Sequence, residues 1–297
     1  MPGVVAHALL RAVPTPARTP EPGCRQKRRH GRQECLVYIG LLLPLVAAAA
    51  DFSAWSPHQQ EHFLLTARIL NERYAGQGLT RSEKAMLADG RHTHAAHIQT
   101  IDIYMPLFKG KDGSEEKDFR DSWKFNVAAY RLAELLRLTD MVPVCVERVV
   151  NGKPAAVDWW VDGVAMDEKR RKARGLSPPD VARWNRQMDT VRIFDQLIYN
   201  MDRSEENLLI TGDWQVWMID HTRAFRTWKK LRNPAAITHC TPELLERLKS
   251  LRKRDVEAEM GALLTPAEID GLMARRDLIV GKLERSSIPQ ALVHHVQ

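Results

Sequence analysis

The segment IYNMDRSEENLLITGDWQVWMIDHTRAFR, Ile198 to Arg226, carries two acidic-polar clusters, Asp202 to Asn207 and Asp220 to Arg223. Asn207 lies five residues after Asp202, and Asp220 lies thirteen after Asn207. Phosphoryl transfer needs residues of this kind: one carboxylate to orient or deprotonate the acceptor, and oxygen ligands that hold magnesium against the phosphates. A loop Asp, an amide five residues on and an Asp at the end of a following strand supply them. Between the clusters, NLLITGDWQVWMID predicts two short strands joined at Thr211-Gly212-Asp213, which bring Asn207 and Asp220 together. Each residue also has a plainer reading: Asp202-Arg203 as a helix-end turn with an ion pair, Asn207 as a turn residue, and Asp220 as an acid partnered by Arg223.

These clusters need a frame. SPHQQEHFLLTARILNERY predicts a helix with Ser56 as N-cap and Pro57 at its first position, ending near AGQGLT. GLTRSEKAMLADGRHTHAAHIQTIDIY alternates in short runs around Asp89-Gly90, the pattern of a β-hairpin. A polar loop is expected from Lys109 to Lys117, and DSWKFNVAAYRLAELLRL is a strongly amphipathic helix. Two strands follow, VPVCVERVV and a run through Trp159 and Trp160, joined at Asn151-Gly152. From about Pro178 the chain turns helical, through SPPDVARWNRQMDTVRIFDQLIYN and nearly all of Pro242 to Ile288. Thr241 and Thr265 are the expected caps, and Glu268 completes a capping box with Thr265. The expectation is an α+β fold, β-rich with one long helix over residues 51–165 and mostly helical with an internal hairpin over residues 166–297.

Two other clusters have less to say about chemistry. RHTHAAH puts His92 and His94 on one strand face and His97 on the other, which argues against a single metal site. Trp214, Trp217 and Trp228 suggest an aromatic face for core packing or an interface.

The chain is basic, with a formal charge of +7, but the excess is local. Residues 1–50 hold seven Lys or Arg and two Glu, which leaves 37 bases against 35 acids in the rest. A nucleic-acid surface needs clustered excess charge in the folded part. The nearest cluster, Lys169 to Arg174, is mixed with Asp167 and Glu168, so no nucleic-acid partner is expected.

The first thirty-four residues carry five prolines and scattered Arg, a composition that cannot bury a core. RQKRRHGRQE then gives way to CLVYIGLLLPLVAAAA, sixteen uncharged residues arranged as the basic, apolar and small-residue regions of a secretory signal. A membrane span usually needs about twenty. Export to a periplasm or the cell exterior is expected, or a membrane anchor through residues 35–50 if the signal is retained; a cytoplasmic location stays open. Beyond the leader only Cys145 and Cys240 remain, so one disulfide is permitted and none is required. Cys145, in MVPVCVERVV, is expected to be a buried thiol.

The spacing of Asp202, Asn207 and Asp220 resembles the catalytic loop and metal-binding motif of the protein-kinase-like superfamily. NMDR and IDHTRAF are similar to the atypical branch: secretory-pathway kinases of the Golgi casein kinase type, HipA-type bacterial kinases and phosphoinositide kinases. FNVAAYRLAELLRLTDMVPVCVER resembles the long helix and Val-Pro strand of the same families, so the likeness runs over residues 65–280.

The resemblance implies a two-lobed fold, a small β-rich N-lobe with one long helix and a helical C-lobe. It also implies ATP with Mg2+ or Mn2+ in the cleft, and phosphate transfer to a protein or small-molecule acceptor. Asp202 would be the catalytic base, Asp220 the main metal ligand and Asn207 a second ligand. Gly76 and Gly78 of GQGLTRS stand for a reduced glycine-rich loop. Where the family has a strand Lys on the phosphates and a helix Glu paired to it, this chain has Gln99 and Asn126. Lys84 and Lys124 occupy neighbouring positions, Glu134 lies two helical turns on, and His221-Thr222 replaces Phe-Gly. The retained acids favour a phosphotransferase. The missing Lys/Glu pair favours a pseudokinase that binds nucleotide or partners without catalysis. A helical protein with a chance motif would have no cleft.

Overall fold

Strand pairing organises the first half of the chain. The computed structural model describes residues 52–74, 82–110, 113 and 115–287; the leader over residues 1–50 lies outside them. Helix α1 (Pro57–Thr66) opens on a capping box, with Gln59 N–H donating to Ser56 Oγ at 3.3 Å and Ser56 N–H to Gln59 Oε1 at 2.9 Å. The helix expected as far as Tyr74 stops at Thr66. Ala67 is extended and β1 (Arg68–Tyr74) pairs with β2 (Ser82–Ala88). RILNERY fits either period, and a partner strand decides between them.

The expected hairpin at Asp89-Gly90 joins β2 to β3 (Thr93–Gln99). Next come β4 (Asp102–Lys109) and β5 (Glu115–Ser122), a separate two-stranded ribbon. Residues 115–117 of the expected polar loop are therefore strand, paired with Leu107, Phe108 and Lys109. Helix α2 (Lys124–Leu135) follows, then β6 (Cys145–Val150) and β7 (Lys153–Trp159), turning at Asn151-Gly152 with both residues at positive φ. The main sheet runs β1-β2-β3-β7-β6, antiparallel throughout. Buried Val127, Ala128 and Leu132 of α2 share the core with Val146, Ala155 and Val157 of the sheet.

The second half begins with β8 (Val164–Asp167), α3 (Glu168–Ala173) and α4 (Val181–Ile198), the last capped by Asp180, whose Oδ1 accepts from Arg183 N–H at 2.8 Å. The expected hairpin is present as β9 (Leu208–Thr211) and β10 (Val216–Met218), and a small sheet runs β10-β9-β8. Helices α5 (Pro242–Ser250), α6 (Lys253–Met260) and α7 (Pro266–Ser287) complete the chain. The Thr265 and Glu268 box caps α7: Thr265 N–H donates to Glu268 Oε2 at 2.7 Å and Glu268 N–H to Thr265 Oγ1 at 3.4 Å. Glu268 also takes Arg120 of β5, fastening the ribbon to the helices.

Arg275 of α7 is fully buried and donates to the carbonyls of Leu197, Arg226 and Trp228, which locks the end of α4 to the chain beyond Asp220. Burial pulls its pKa down to about 9. Gly271 makes this contact feasible, since a Cβ there would stand 2.8 Å from Arg226 O. Cys145 is buried, Cys240 is half-buried, and both are free thiols. No helix among the described residues is long and apolar enough to cross a membrane.

Candidate active site

Helix α4 ends where Tyr199 turns left-handed, at φ 51°. Asn200 then folds the chain: its Oδ1 accepts from Asp202 N–H at 3.0 Å and its Nδ2 donates to Asp195 Oδ1 at 3.1 Å. Arg203 does the larger work. Its Nε reaches Asp195 Oδ2 at 3.0 Å, while Nη1 donates to Asn207 O at 3.0 Å and Ile219 O at 2.6 Å. One guanidinium thus ties the end of α4 to both ends of the β9–β10 hairpin. Ile219 N–H also donates to Asn207 O at 3.1 Å, which leaves Asp220 one residue beyond a closed ladder.

Asp220 takes φ 55°, a left-handed conformation that Asp tolerates better than most residues. Its Oδ1 accepts from Thr222 Oγ1 at 3.0 Å, and the next N–H, of His221, donates to Asn126 Oδ1 at 2.8 Å. Asn126, at the expected Glu position of α2, therefore braces the backbone beside Asp220. His221 is buried, and burial together with the Arg203 charge pushes its pKa well below the ordinary value. Asn207 Nδ2 donates to Asp202 O at 3.2 Å, so Oδ1 is the atom it offers a cation.

Asp202 is about half exposed, at 55%, and meets Arg223 Nη1 at 3.3 Å. Arg223 also reaches Glu116 Oε2 of β5 at 2.6 Å. Arg223 therefore partners Asp202 and Glu116, and Asp220 is served by Thr222.

Opposite this hairpin lies the strand wall. A cavity of about 340 Å³ is lined by His97 and Gln99 of β3, Asn126 of α2, Asp158 of β7, and Asn207 and Asp220 from the hairpin side. Trp160, Val161, Leu209 and Met218 add apolar surface. Gln99 Oε1 accepts from Ile101 N–H at 3.0 Å. His97 Nδ1 lies 2.9 Å from Asp158 Oδ2. Burial works against a charge on His97, but its bond and attraction to Asp158, with a further pull from Asp220, raise its pKa above the ordinary value.

Sheet register extends this pair into a row. Lys84 faces His97, His97 faces Asp158 and Asp158 faces Cys145 across successive strands. Directly opposed residues share a sheet face, so all four side chains belong to the cavity side. Lys84 Nζ sits 3.9 Å from the centre of the ring of Trp160, which lines the cavity. Burial and the neighbouring Asp158 push the Cys145 thiol well up, so it stays protonated and unreactive.

The other expected residues are placed as follows. Gly76 and Gly78, in the connection between β1 and β2, lie outside the described residues. Lys124 pairs with Asp102 at 3.1 Å, and Glu134 takes Arg131 at 2.7 Å and Tyr130 at 3.2 Å, so neither is committed to the cavity. His92, His94 and His97 each face a different acid, Asp89, Asp162 and Asp158. Trp214 packs edge-on against Trp184 and Trp228 against Tyr199, so these two do not share one aromatic face. Sequence reading did not single out Asp158; it named Arg203 only for a helix-end turn with an ion pair, which forms with Asp195, and His97 only within a histidine cluster. A His two residues before Gln99 in an alternating strand was the available signal for His97.

Among the described residues no group of three or more His, Cys, Asp and Glu gathers to hold a metal ion. Asp220 and Asn207 still offer one carboxylate and one amide oxygen. That suits Mg2+ or Mn2+, hard cations that bind through one or two protein oxygens with substrate phosphates and water completing the shell.

No protein-family profile matches the chain, and no curated protein matches it. Solved structures do. A hydra Fam20 protein, solved with sugar, superposes with a TM-score of 0.57 at 14% identity, over 77% of this chain and 88% of that one. A Helicobacter pylori proinflammatory kinase, CtkA, superposes at 0.40 with 10% identity, over 75% of this chain and 95% of its own. The fold is read from the first of these: a curled sheet followed by a helical region, an atypical protein-kinase-like fold.

Proposed function

We propose that this chain is a phosphotransferase that moves the terminal phosphate of ATP to a protein or small-molecule acceptor with help from Mg2+ or Mn2+. Residues 51–165 and 166–297 would form the lobes on either side of the cavity. The carrying observation is the Arg203 clamp, which holds both ends of the β9–β10 hairpin so that Asn207 and Asp220 line the cavity opposite His97, with Asp202 in the loop ahead of Asn207 and Lys84 against Trp160, another lining residue.

When bound, the divalent cation neutralises charge on the phosphates. Asp220 and Asn207 Oδ1 are its protein ligands. Asp202 receives the proton of the acceptor hydroxyl as that oxygen bonds to the terminal phosphorus and the bond to the departing diphosphate breaks. Arg223, 3.3 Å away, holds the Asp202 carboxylate in place. Lys84, reaching from β2, supplies the phosphate contact that Gln99 cannot, and His97, held by Asp158, adds a polar side chain at the cavity wall. Trp160, Val161 and Met218 supply the apolar surface for a purine ring.

Gln99 and Asn126, standing at the usual Lys and Glu positions, favour a second reading, a nucleotide-binding module without catalysis. The test is a melting curve of the chain with ATP and Mg2+ or Mn2+, run beside transfer of labelled phosphate. The phosphotransferase gives a nucleotide- and metal-dependent rise in Tm and label transfer that Asp220→Ala abolishes. A Tm rise without transfer supports the module, and neither response rejects both readings. Export is proposed from the leader alone, and N-terminal sequencing of the mature chain tests it.

A further inference from the structure

A second groove, of about 670 Å³, lies between the Lys230 to Pro234 segment and helix α7, and it shares no lining residue with the cavity above. Lys230, Leu231 and Pro234 line it from that segment, and Leu278, Lys282 and Arg285 line it from α7. Leu278, Lys282 and Arg285 follow one another at steps of four and three, so they share one face of α7. Leu278 is 45% exposed, a large apolar side chain left open to solvent.

The acids of α7 are engaged elsewhere. Asp270 pairs with Lys253 at 2.7 Å, Asp277 with Arg276 at 2.8 Å and Glu284 with Lys249 at 3.5 Å. Among the described residues no Asp or Glu lines the groove. Gly281 adds a local device: a Cβ there would stand 3.2 Å from Arg285 Nη1, so the guanidinium lies back against the helix over that glycine. Cations facing each other across a groove repel one another, and an anion between them reverses the sign of that interaction.

We propose that this groove docks an acidic peptide segment of a partner protein. Lys230, Lys282 and Arg285 take its carboxylates, and Leu231, Pro234 and Leu278 take an apolar side chain between them. The volume and the apolar lining exceed what a lone inorganic anion would use. Among the described residues no aromatic ring lines the groove, so they supply no stacking platform of the kind single-stranded nucleic-acid sites use. Residues 288–297 contain no Asp or Glu, so this stretch of the same chain brings no acidic side chain as counter-charge.

The proposal is independent of the phosphotransferase reading, because its test is a binding measurement without nucleotide. A fluorescein-labelled peptide of alternating Glu and Leu residues is titrated into the full chain, followed by anisotropy. Expected is saturable, salt-sensitive binding that weakens about tenfold in the double variant Lys282→Glu, Arg285→Glu, with a smaller loss in Lys230→Glu. The two variants sit on different segments, and a melting curve of each shows which are folded and therefore informative. Unchanged affinity in both would overturn the proposal. So would equal binding of a peptide with Gln in place of Glu, displacement by inorganic phosphate at matched concentration, or tighter binding of single-stranded DNA through the same residues.

Discussion

The two walls of the cavity are built by different means. On the hairpin side, Asn207 and Asp220 line the cavity and Asp202 stands in the loop before them; the three lie within nineteen consecutive residues, positioned by a turn, a short ladder and one arginine. On the strand side, Lys84, His97 and Asp158 come from three strands and meet only through sheet register. The first wall resembles known phosphate-transfer machinery in residue type and order. The second wall carries Gln99 and Asn126 where the sequence resemblance predicts a Lys and a Glu. A local constellation that touches the reacting atoms tolerates few substitutes. A cation that only neutralises phosphate can arrive from any strand whose side chain faces the cavity.

The sharpest way to break this comparison is at Asp220. Asp220→Asn keeps shape and the hydrogen bond to Thr222 but removes the ligand charge, and phosphate transfer should fall by about 100- to 1,000-fold. Its side chain is exposed, so Tm without nucleotide should stay close to that of the parent chain. A full-rate Asp220→Asn enzyme would remove the hairpin wall from the chemistry altogether.

Arg203 comes next. Its side chain and that of Asp195 are 10% and 12% exposed, so Arg203→Met strands a largely buried carboxylate and frees the carbonyls of Asn207 and Ile219. Breaking such a pair costs about 3–5 kcal/mol. Denaturant unfolding should show a loss of that order, with transfer lost in step. Arg203→Lys should recover part of the stability, since a single ammonium cannot reach all three partners in a guanidinium's geometry.

The strand wall should respond more mildly and in a different parameter. Lys84→Ala should raise KM for ATP about tenfold and leave kcat within a small factor, with Lys84→Arg restoring most of the affinity. If kcat falls instead and Lys84→Arg does not rescue it, Lys84 acts on more than ground-state binding. If neither constant moves, the phosphates are held by some other group.

How much of this was legible follows the same division. Turns and caps are local, and Ser56 with Pro57, Asp89-Gly90, Asn151-Gly152, Thr211-Gly212-Asp213 and Thr265 with Glu268 were readable from adjacent residues. The resemblance that pointed to an atypical kinase-like fold also came from this local wording. The helix expected through Tyr74 was wrong because RILNERY is compatible with both periods, and β2 decides for a strand. His97 and Asp158 stand 61 positions apart, and Arg223 and Glu116 stand 107 apart. No spacing rule connects such pairs. Lys84 was recognisable only as a neighbour of the expected position until register placed it on the cavity face.

The smallest expected effect separates the walls by the sign of a pH dependence. His97 carries a raised pKa, so the folded chain holds its proton more tightly than the unfolded chain does. Its pair with Asp158 contributes stability fully below the ordinary value of 6.5 and loses it as pH rises through the higher folded value. His221, on the hairpin side next to Asp220, has the opposite shift: the unfolded chain takes up a proton near 6.5 that the buried ring refuses. Stability from that site is present above 6.5 and drains away as pH falls toward the lower folded value. Melting curves between about pH 5 and 8 should therefore show His97→Gln costing more stability at the acid end than at the alkaline end. His221→Gln, read by its slope rather than its offset, should flatten the acid-side loss. If both variants changed the profile in the same direction, the two histidines would share one electrostatic environment, and the division between a strand wall and a hairpin wall would not hold at the level of charge.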